Sequence, residues 1–365
     1  MIKPGCCKVC VISYPLQAQG GIQNVARLVQ SVLSTDQSFS LKVVYIVNGK
    51  FSKLIQYFKV FCWALMGFRP MFMHAYIYQA CPFRSLLSLR SRVIIWCHGI
   101  EVWGDYSRRR LPALADDVDL WAVSHYTAQQ VIRNWPGSAL KVMHLAVLGC
   151  YPKEKKTSAP AVHSSLRLVA VSRLDPSERY KGLDLSLQAL SNLKSLGVYF
   201  RFDIVGDGAD RPRLMSLRTE LGLQGDVFFH GAVDQSTLNK IYSRSNLFLL
   251  PSQVVPSDCE LWGGEGFGLV YLEAAMHALP SVAGWDGGQT DFVDHEITGW
   301  CVKPDVSALA ELLFYLSLNP KMIEEAGVRA RSRAISEFSH AAFSDRIRSA
   351  LMDVSPSHSP LTMLW

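Results

Sequence analysis

Two glutamates, Glu265 and Glu273, stand with seven residues between them in the run Glu-Gly-Phe-Gly-Leu-Val-Tyr-Leu-Glu, and Ala274, Ala275 and Pro280 follow. Glu265 precedes a helix that Gly266, Phe267 and Gly268 introduce, and Glu273 comes about two helical turns later. Ionised carboxylates accept hydrogen bonds from hydroxyls, and the free N–H groups of a helix start suit an anion. Upstream, Arg173 and Lys181 are cations within Ser-Arg-Leu-Asp-Pro-Ser-Glu-Arg-Tyr-Lys-Gly, and cations of this kind hold phosphate. His98-Gly99-Ile100-Glu101 follows the apolar run 93–97, while Gly20-Gly21, Gly206-Asp207-Gly208 and His230-Gly231 let backbone approach a ligand. Taken singly, each has an ordinary reading: helix-surface acids, solvated cations, a structural histidine, turn glycines.

What joins them is where they fall along the chain. Residues 9–13 read as a strand, 22–33 as an amphipathic helix and 41–47 as the next strand, a βαβ opening. Strands at 93–97 and 120–123 and a helix from 127 continue a mostly parallel sheet. Residues 151–165 turn polar and proline-bearing, as an exposed connection does. Alternation then restarts: strands at 168–171, 200–205, 227–230 and 247–251, with helices at 183–196, 211–221 and 236–243. The expected fold class is α/β, with two Rossmann-like doubly wound domains at 1–160 and 161–336 and a terminal helix and tail at 337–365. In such sheets ligands bind beyond the carboxyl ends of strands, and every residue singled out above lies in a strand-exit loop or the helix it enters.

Composition narrows the classes. The chain has 365 residues, 49% hydrophobic and 19% charged, and shows no low-complexity tract or solenoid repeat. Residues 1–150 hold 16 Lys and Arg against 6 Asp and Glu, a net of +10, whereas 151–365 hold 21 against 25, a net of −4. A basic first half calls for an anionic partner: nucleic acid, phospholipid headgroups or a phosphorylated acceptor. Nucleic acid is set aside, because Tyr57, Phe58, Phe61 and Trp63 are spaced like core and the second domain is acidic. Nine cysteines, an odd number without paired spacing, fit a reducing cytoplasm. Cys7 and Cys10 read as a buried strand, and no metal-ligand cluster is found. Gly-x-Gly at 206–208 lacks the third glycine of a dinucleotide fingerprint, which excludes NAD. The N-terminus is not expected to be a signal peptide, and residues 54–68, with Lys59 inside, are too few to span a bilayer. That stretch and Arg108-Arg109-Arg110 are candidates for contact with anionic membrane, which suggests a cytoplasmic protein, peripheral at the inner membrane face.

The whole set, in this order and spacing along nearly the entire chain, resembles the GT-B-fold, family-four retaining glycosyltransferases (glycosyl transferases group 1), most specifically their donor-site signature at Glu265 to Glu273. The resemblance implies two domains facing across a cleft and a sugar transferred from a nucleotide-diphosphate donor without metal or other cofactor. It assigns His98, Arg173, Lys181 and Glu265 to catalysis. It gives the donor to Gly20, Gly21, Arg173, Lys181, Gly206, Gly208, Gly231, Glu265, Gly266, Phe267, Gly268, Leu269 and Glu273. Within that set Glu265 takes the donor sugar's hydroxyls, Glu273 the ribose, Arg173 and Lys181 the diphosphate. Similarity to bacterial mannosyltransferases of polysaccharide or glycolipid assembly favours GDP-mannose over UDP-sugars, and a glycolipid or oligosaccharide acceptor. The chain departs from the pattern at Gly287-Gly288-Gln289-Thr290-Asp291, where the family often has Gly-Gly-x-Pro-Glu, and in the twelve residues between Ser252 and Glu265. Rival readings are a non-catalytic nucleotide-sugar binder and an epimerase on the same architecture.

Overall fold

Short apolar runs alternating with helices wind into two parallel sheets in a computed structural model that describes residues 6–16, 21–47, 49–115, 118–146 and 165–352. The first sheet contains β1 (Cys7–Ser13), β2 (Phe39–Tyr45), β3 (Arg69–Phe72), β4 (Ile94–Cys97), β5 (Asp119–Ala122) and β6 (Ala139–Val142), ordered β2-β1-β3-β4-β5-β6. The second contains β7 (Leu166–Val171), β8 (Phe200–Val205), β9 (Val227–Gly231), β10 (Leu247–Leu250), β11 (Ser281–Gly284) and β12 (Gly299–Val302), ordered β12-β11-β10-β7-β8-β9. Every pairing between these strands is parallel. Parallel strands are covered by helices on both faces, so the central ones are apolar throughout: Ile94–Cys97 and Leu247–Leu250 are buried at every position. In each sheet the winding reverses once, between β1 and β3 and between β7 and β10, and a ligand crevice forms at such a point because the two exit loops part in opposite directions.

The chain divides into two compact units, Met1–Leu148 with Ser257–Trp262 and His340–Trp365, and Gly149–Pro256 with Gly263–Ser339. Helix His340–Met352 joins the first unit through specific contacts. Its Phe343 is buried with its ring 6.4 Å from that of Trp96, Arg348 pairs with Asp36 at 2.7 Å, and Arg69 donates to the Leu351 carbonyl at 2.6 Å. Residues 149–164, which contain the expected connection, lie outside the described residues.

Most of the expected strands and helices are present, but four strands and the helices Ala75–Gln79, Arg84–Arg90, Gly104–Arg110, Val306–Leu318 and Pro320–Glu337 were not foreseen. In β3, Pro70 sits in register with Cys10 of β1, and a proline argues against a central strand because it cannot donate to the ladder. The expected stretch 54–68 is two things: helix Lys50–Leu65, then a turn through Gly67 at φ +82° into β3. Strands β6, β11 and β12 are four residues each and lack the unbroken apolar run that marks β4 and β10, since they include Lys141, Ser281 with Gly284, and Gly299. No helix among the described residues is long and apolar enough to cross a membrane.

Candidate active site

In the second unit the exit of β7 leads through Ser172, Arg173 and Leu174 into a 3-10 turn, Pro176–Lys181, whose first N–H groups are capped when Asp175 accepts from Ser177 at 2.9 Å. Gly182 ends the turn at φ +74°, and a Cβ there would stand 2.4 Å from the Pro251 carbonyl oxygen, so only glycine lets the β10 exit pass so close. Lys181 is thereby held at the β7/β10 switch point with its side chain 13% exposed. Its Nζ lies 2.9 Å from Glu178 Oε2 and 3.7 Å from Glu265 Oε1, and Arg173, 74% exposed, pairs with the other Glu178 oxygen. Burial alone would lower the Lys181 pKa, but Glu265 and Glu178 outweigh it and hold it above the ordinary lysine value. Lys181 is therefore a positive charge held in the interior, whereas Arg173 is an exposed one paired with Glu178.

The exit of β10 returns as Glu265, Gly266, Phe267 and Gly268 to helix Leu269–Met276, which Gly268 opens at φ +84°. Tyr271 fastens that helix to its strand by donating to the Leu250 carbonyl at 2.6 Å. Glu265 Oε1 is buried and makes no hydrogen bond among the described residues, Lys181 being too far to donate. Such an oxygen costs energy until a hydroxyl donor reaches it. On the same helix Glu273, partly exposed and likewise without a hydrogen-bond partner among the described residues, has its pKa pushed up by desolvation to about 7.

Where the chain departs from the family pattern, Gly288 donates to the Glu265 carbonyl at 2.7 Å. Gln289, fully buried, reaches the carbonyls of Ser252, Gly284 and Asp286 at 3.3, 3.2 and 2.6 Å. Gln289 thus staples the β10 and β11 exits beneath the Glu265 loop. Gly206 and Gly208 lie against the β7 exit, where Cβ atoms would meet the carbonyl oxygens of Ser172 at 1.8 Å and Leu174 at 2.2 Å. Gly206 also donates to the Gly231 carbonyl at 2.9 Å. These three glycines close backbone around Arg173 and Leu174. His230 is taken up by Asp203, 2.6 Å away.

In the first unit the exits of β1, β3 and β4 bring Tyr14, His74 and His98 together, with ring centroids 6.3 Å apart for Tyr14 and His74 and 6.1 Å for His74 and His98. His98 Nε2 lies 2.7 Å from the Met73 carbonyl, which can only accept, so Nε2 carries the proton and Nδ1 is a bare acceptor. Burial pushes the His98 pKa down to about 4 despite that hydrogen bond, and the ring is neutral at physiological pH. His74, pushed to about 3 by burial and by His98, caps its helix by accepting from Tyr76 N at 3.2 Å. Glu101 is buried; it accepts from His98 N at 2.5 Å and ties the His98 loop down. Desolvation raises its pKa to about 7 against the pull of the His98, Glu101 and Gly99 N–H groups. Gly21 is exposed and opens helix Gly21–Thr35 with nothing within 4 Å of a would-be Cβ; Gly20 lies outside the described residues.

The structure therefore brings Arg173, Lys181, Glu265 and the 266–273 segment together in the second unit, with Gly206, Gly208 and Gly231 behind them, and sets His98 and Gly21 in the first. Three residues were missed. Glu178 lies inside the quoted Asp175 to Gly182 run and could have been found as the acid flanked by Arg173 and Lys181. His74 ends an apolar run as His98 does. Gln289 carries no sequence signal, since its role comes from carbonyls that only the fold assembles.

A raised carboxyl pKa has a testable sign. The folded state binds the Glu273 proton more tightly than the unfolded chain, so this group's contribution to stability falls as pH rises from about 4.5 to about 7. Glu273→Gln is expected to stabilise the free protein by roughly 1–3 kcal/mol above pH 7 and not at all below pH 4.5. Thermal unfolding of both proteins across that range checks it, and a gain that is equal at every pH contradicts it.

Residues 153–333 match the family described as Glycosyl transferases group 1. Over 185 residues the chain is 29% identical to the amylovoran biosynthesis glycosyltransferase AmsK of Erwinia amylovora, covering 50% of this chain and 44% of that one. Over 263 residues it is 27% identical to the GDP-mannose-dependent alpha-(1-6)-phosphatidylinositol monomannoside mannosyltransferase of Mycolicibacterium smegmatis, covering 68% and 66%. The aligned part thus spans about half to two thirds of the length of these relatives. The structure is similar to that of Anabaena HepE in complex with UDP, with a TM-score of 0.72 at 17% identity over 94% of this chain and 99% of the other. That likeness identifies the two parallel six-stranded sheets with flanking helices as the GT-B fold.

Proposed function

We propose, from the match of residues 153–333 to the family described as Glycosyl transferases group 1, that the chain is a retaining, metal-independent hexosyltransferase acting on a lipid-linked or polysaccharide-precursor acceptor. The observation that carries this reading is Lys181 at the β7/β10 switch point, 2.9 Å from Glu178 and 3.7 Å from Glu265, with Arg173 beside it. In this reading Arg173 and Lys181 bind the donor diphosphate and offset the charge that grows on it as it departs, the role a divalent ion takes elsewhere. The unpaired Glu265 oxygen accepts from a sugar hydroxyl, Glu273 accepts from the ribose, and the N–H groups opening helix Leu269–Met276 face phosphate. Bare Nδ1 of His98 accepts from the donor sugar near its reacting carbon. The acceptor hydroxyl attacks from the face the diphosphate vacates, and no enzyme nucleophile forms.

GDP-mannose is the favoured donor, supported by the name of the Mycolicibacterium relative and by the Asp175 to Gly182 and Gly264 to Gly268 segments. A UDP-sugar is the second reading, with HepE bound to UDP as its support, at an identity that speaks for fold alone. A lipid-linked acceptor would place the reaction at the inner face of the membrane. Calorimetric titration of GDP, UDP and ADP without added metal, on the wild type and on Glu273→Ala and Arg173→Ala, is the test. Binding of one nucleotide in the micromolar range, weakened about tenfold or more by either change, is expected. Failure of all three to bind overturns the reading.

A further inference from the structure

Helix Lys50–Leu65 is apolar on two faces. Tyr57, Val60 and Ala64 are buried against the first sheet, as a covering helix requires. Phe51, Leu54, Ile55, Phe58 and Leu65 recur at helical spacing on the other side and are exposed, Phe51 at 77%. The surface does not stop there. Phe83 stacks on Phe61 at 5.6 Å and tilts against Phe58 at 6.2 Å, which joins the helix to its neighbour, Arg84–Arg90, where Leu86 is exposed and Leu89 is 80% exposed. An uncovered apolar face running over two helices is more than the single exposed side chains common on soluble domains.

Its charge surroundings select the partner. From Gln37 to Ile100 the sequence contains eight Lys and Arg and no Asp or Glu. Lys50 and Lys59 are exposed at the rim of the stripe, and Arg90 ends the second helix, also exposed. By contrast, Arg109 and Arg110 of the other basic cluster are engaged, Arg109 on the Asp258 carbonyl at 2.8 Å and Arg110 on the Tyr106 hydroxyl at 2.8 Å. A second protein would require acids to match the rim, and a second copy of this face brings the same cations against one another. An anionic bilayer provides negative headgroups for the rim and acyl chains for the stripe in one surface.

We infer that the exposed face of helices Lys50–Leu65 and Arg84–Arg90 is a docking surface for anionic lipid, with Phe51, Leu54, Phe58 and Leu89 entering the acyl boundary and Lys50, Lys59 and Arg90 at the headgroups. None of these residues belongs to the donor site, so the inference stands or falls separately from the transferase reading. The full chain is floated with vesicles of phosphatidylcholine alone and of phosphatidylcholine mixed with phosphatidylglycerol. Binding only to the mixed vesicles is expected, weakened about tenfold or more by Phe51→Ser with Phe58→Ser, weakened similarly by Lys50→Glu with Lys59→Glu, and reduced by salt in the wild type. Circular dichroism and thermal unfolding show that each variant is folded. Equal flotation of wild type and both variants overturns the inference. So does a dimer in sedimentation velocity that Phe51→Ser with Phe58→Ser dissolves while lipid binding persists, because the stripe is then covered by a second copy.

Discussion

Lys181→Met is expected to lower turnover by roughly a thousandfold, at the upper end of what removing one preorganised charge from a departing group costs. Lys181 is the fixed member of the cation pair, 13% exposed and set by Gly182, whereas Arg173 is 74% exposed and can be replaced in part by water. In the free protein two carboxylates, Glu178 and Glu265, balance these two cations. An arriving diphosphate must therefore share Arg173 with Glu178, while Lys181, held between both acids, meets it without moving. The substitution also leaves Glu178 and Glu265 with one fewer cation, so the variant should lose about 1–3 kcal/mol of stability at neutral pH. Turnover at saturating donor together with thermal unfolding at neutral pH checks both parts. Lys181→Arg, which keeps the charge in a larger group, should recover only part of the rate. A Lys181→Met enzyme within tenfold of the wild type would remove the charge-offset argument.

How much of this could be read beforehand follows from where information sits in an open parallel sheet. That Arg173, Lys181 and Glu265 lie beyond strand ends, with Glu273 in the helix that follows, was legible because such loops are marked by glycine and by the end of an apolar run. What each side chain touches was not legible. Glu178 and Lys181 are three residues apart, yet Glu265 meets Lys181 only after β10 has been laid beside β7. Gln289 hydrogen-bonds to carbonyls from three separate positions, and it stands at the variable position of the pattern, so nothing in the sequence marked it as a staple. Helix Lys50–Leu65 shows the limit of periodicity from the other side. A helix with two apolar faces can be core or surface, and only burial distinguishes the face that packs from the face that is left open. Pro70 hid β3 for a related reason: the rule against a central proline is local, and the flanking pairings of Arg69–Phe72 with β1 and β4 override it.

His98→Ala is expected to lower kcat by about a hundred- to a thousandfold with a smaller change in KM, as loss of a contact strongest in the transition state does. The sign of its pH dependence separates two ways the ring could work. With the Met73 carbonyl accepting from Nε2 and burial pushing the pKa to about 4, His98 presents a bare Nδ1 across the physiological range. A hydrogen-bond acceptor of that kind keeps its activity as pH falls from 8 to 5.5 and loses it only near 4, where Nδ1 takes a proton. Glu101, pushed to about 7 beside it, titrates inside the same window, so the kcat profile should be recorded at saturating donor for the wild type and for Glu101→Gln. A step near pH 7 that vanishes in Glu101→Gln belongs to Glu101, which positions the loop through His98 N. His98→Gln, whose amide can donate to Met73 and still offer an oxygen, should recover about tenfold of the loss and, combined with Glu101→Gln, leave the profile flat above pH 5. An inflection near 6.5 that survives Glu101→Gln and disappears in His98→Gln would mean instead that His98 acts as a proton donor, and the acceptor role would have to be given up.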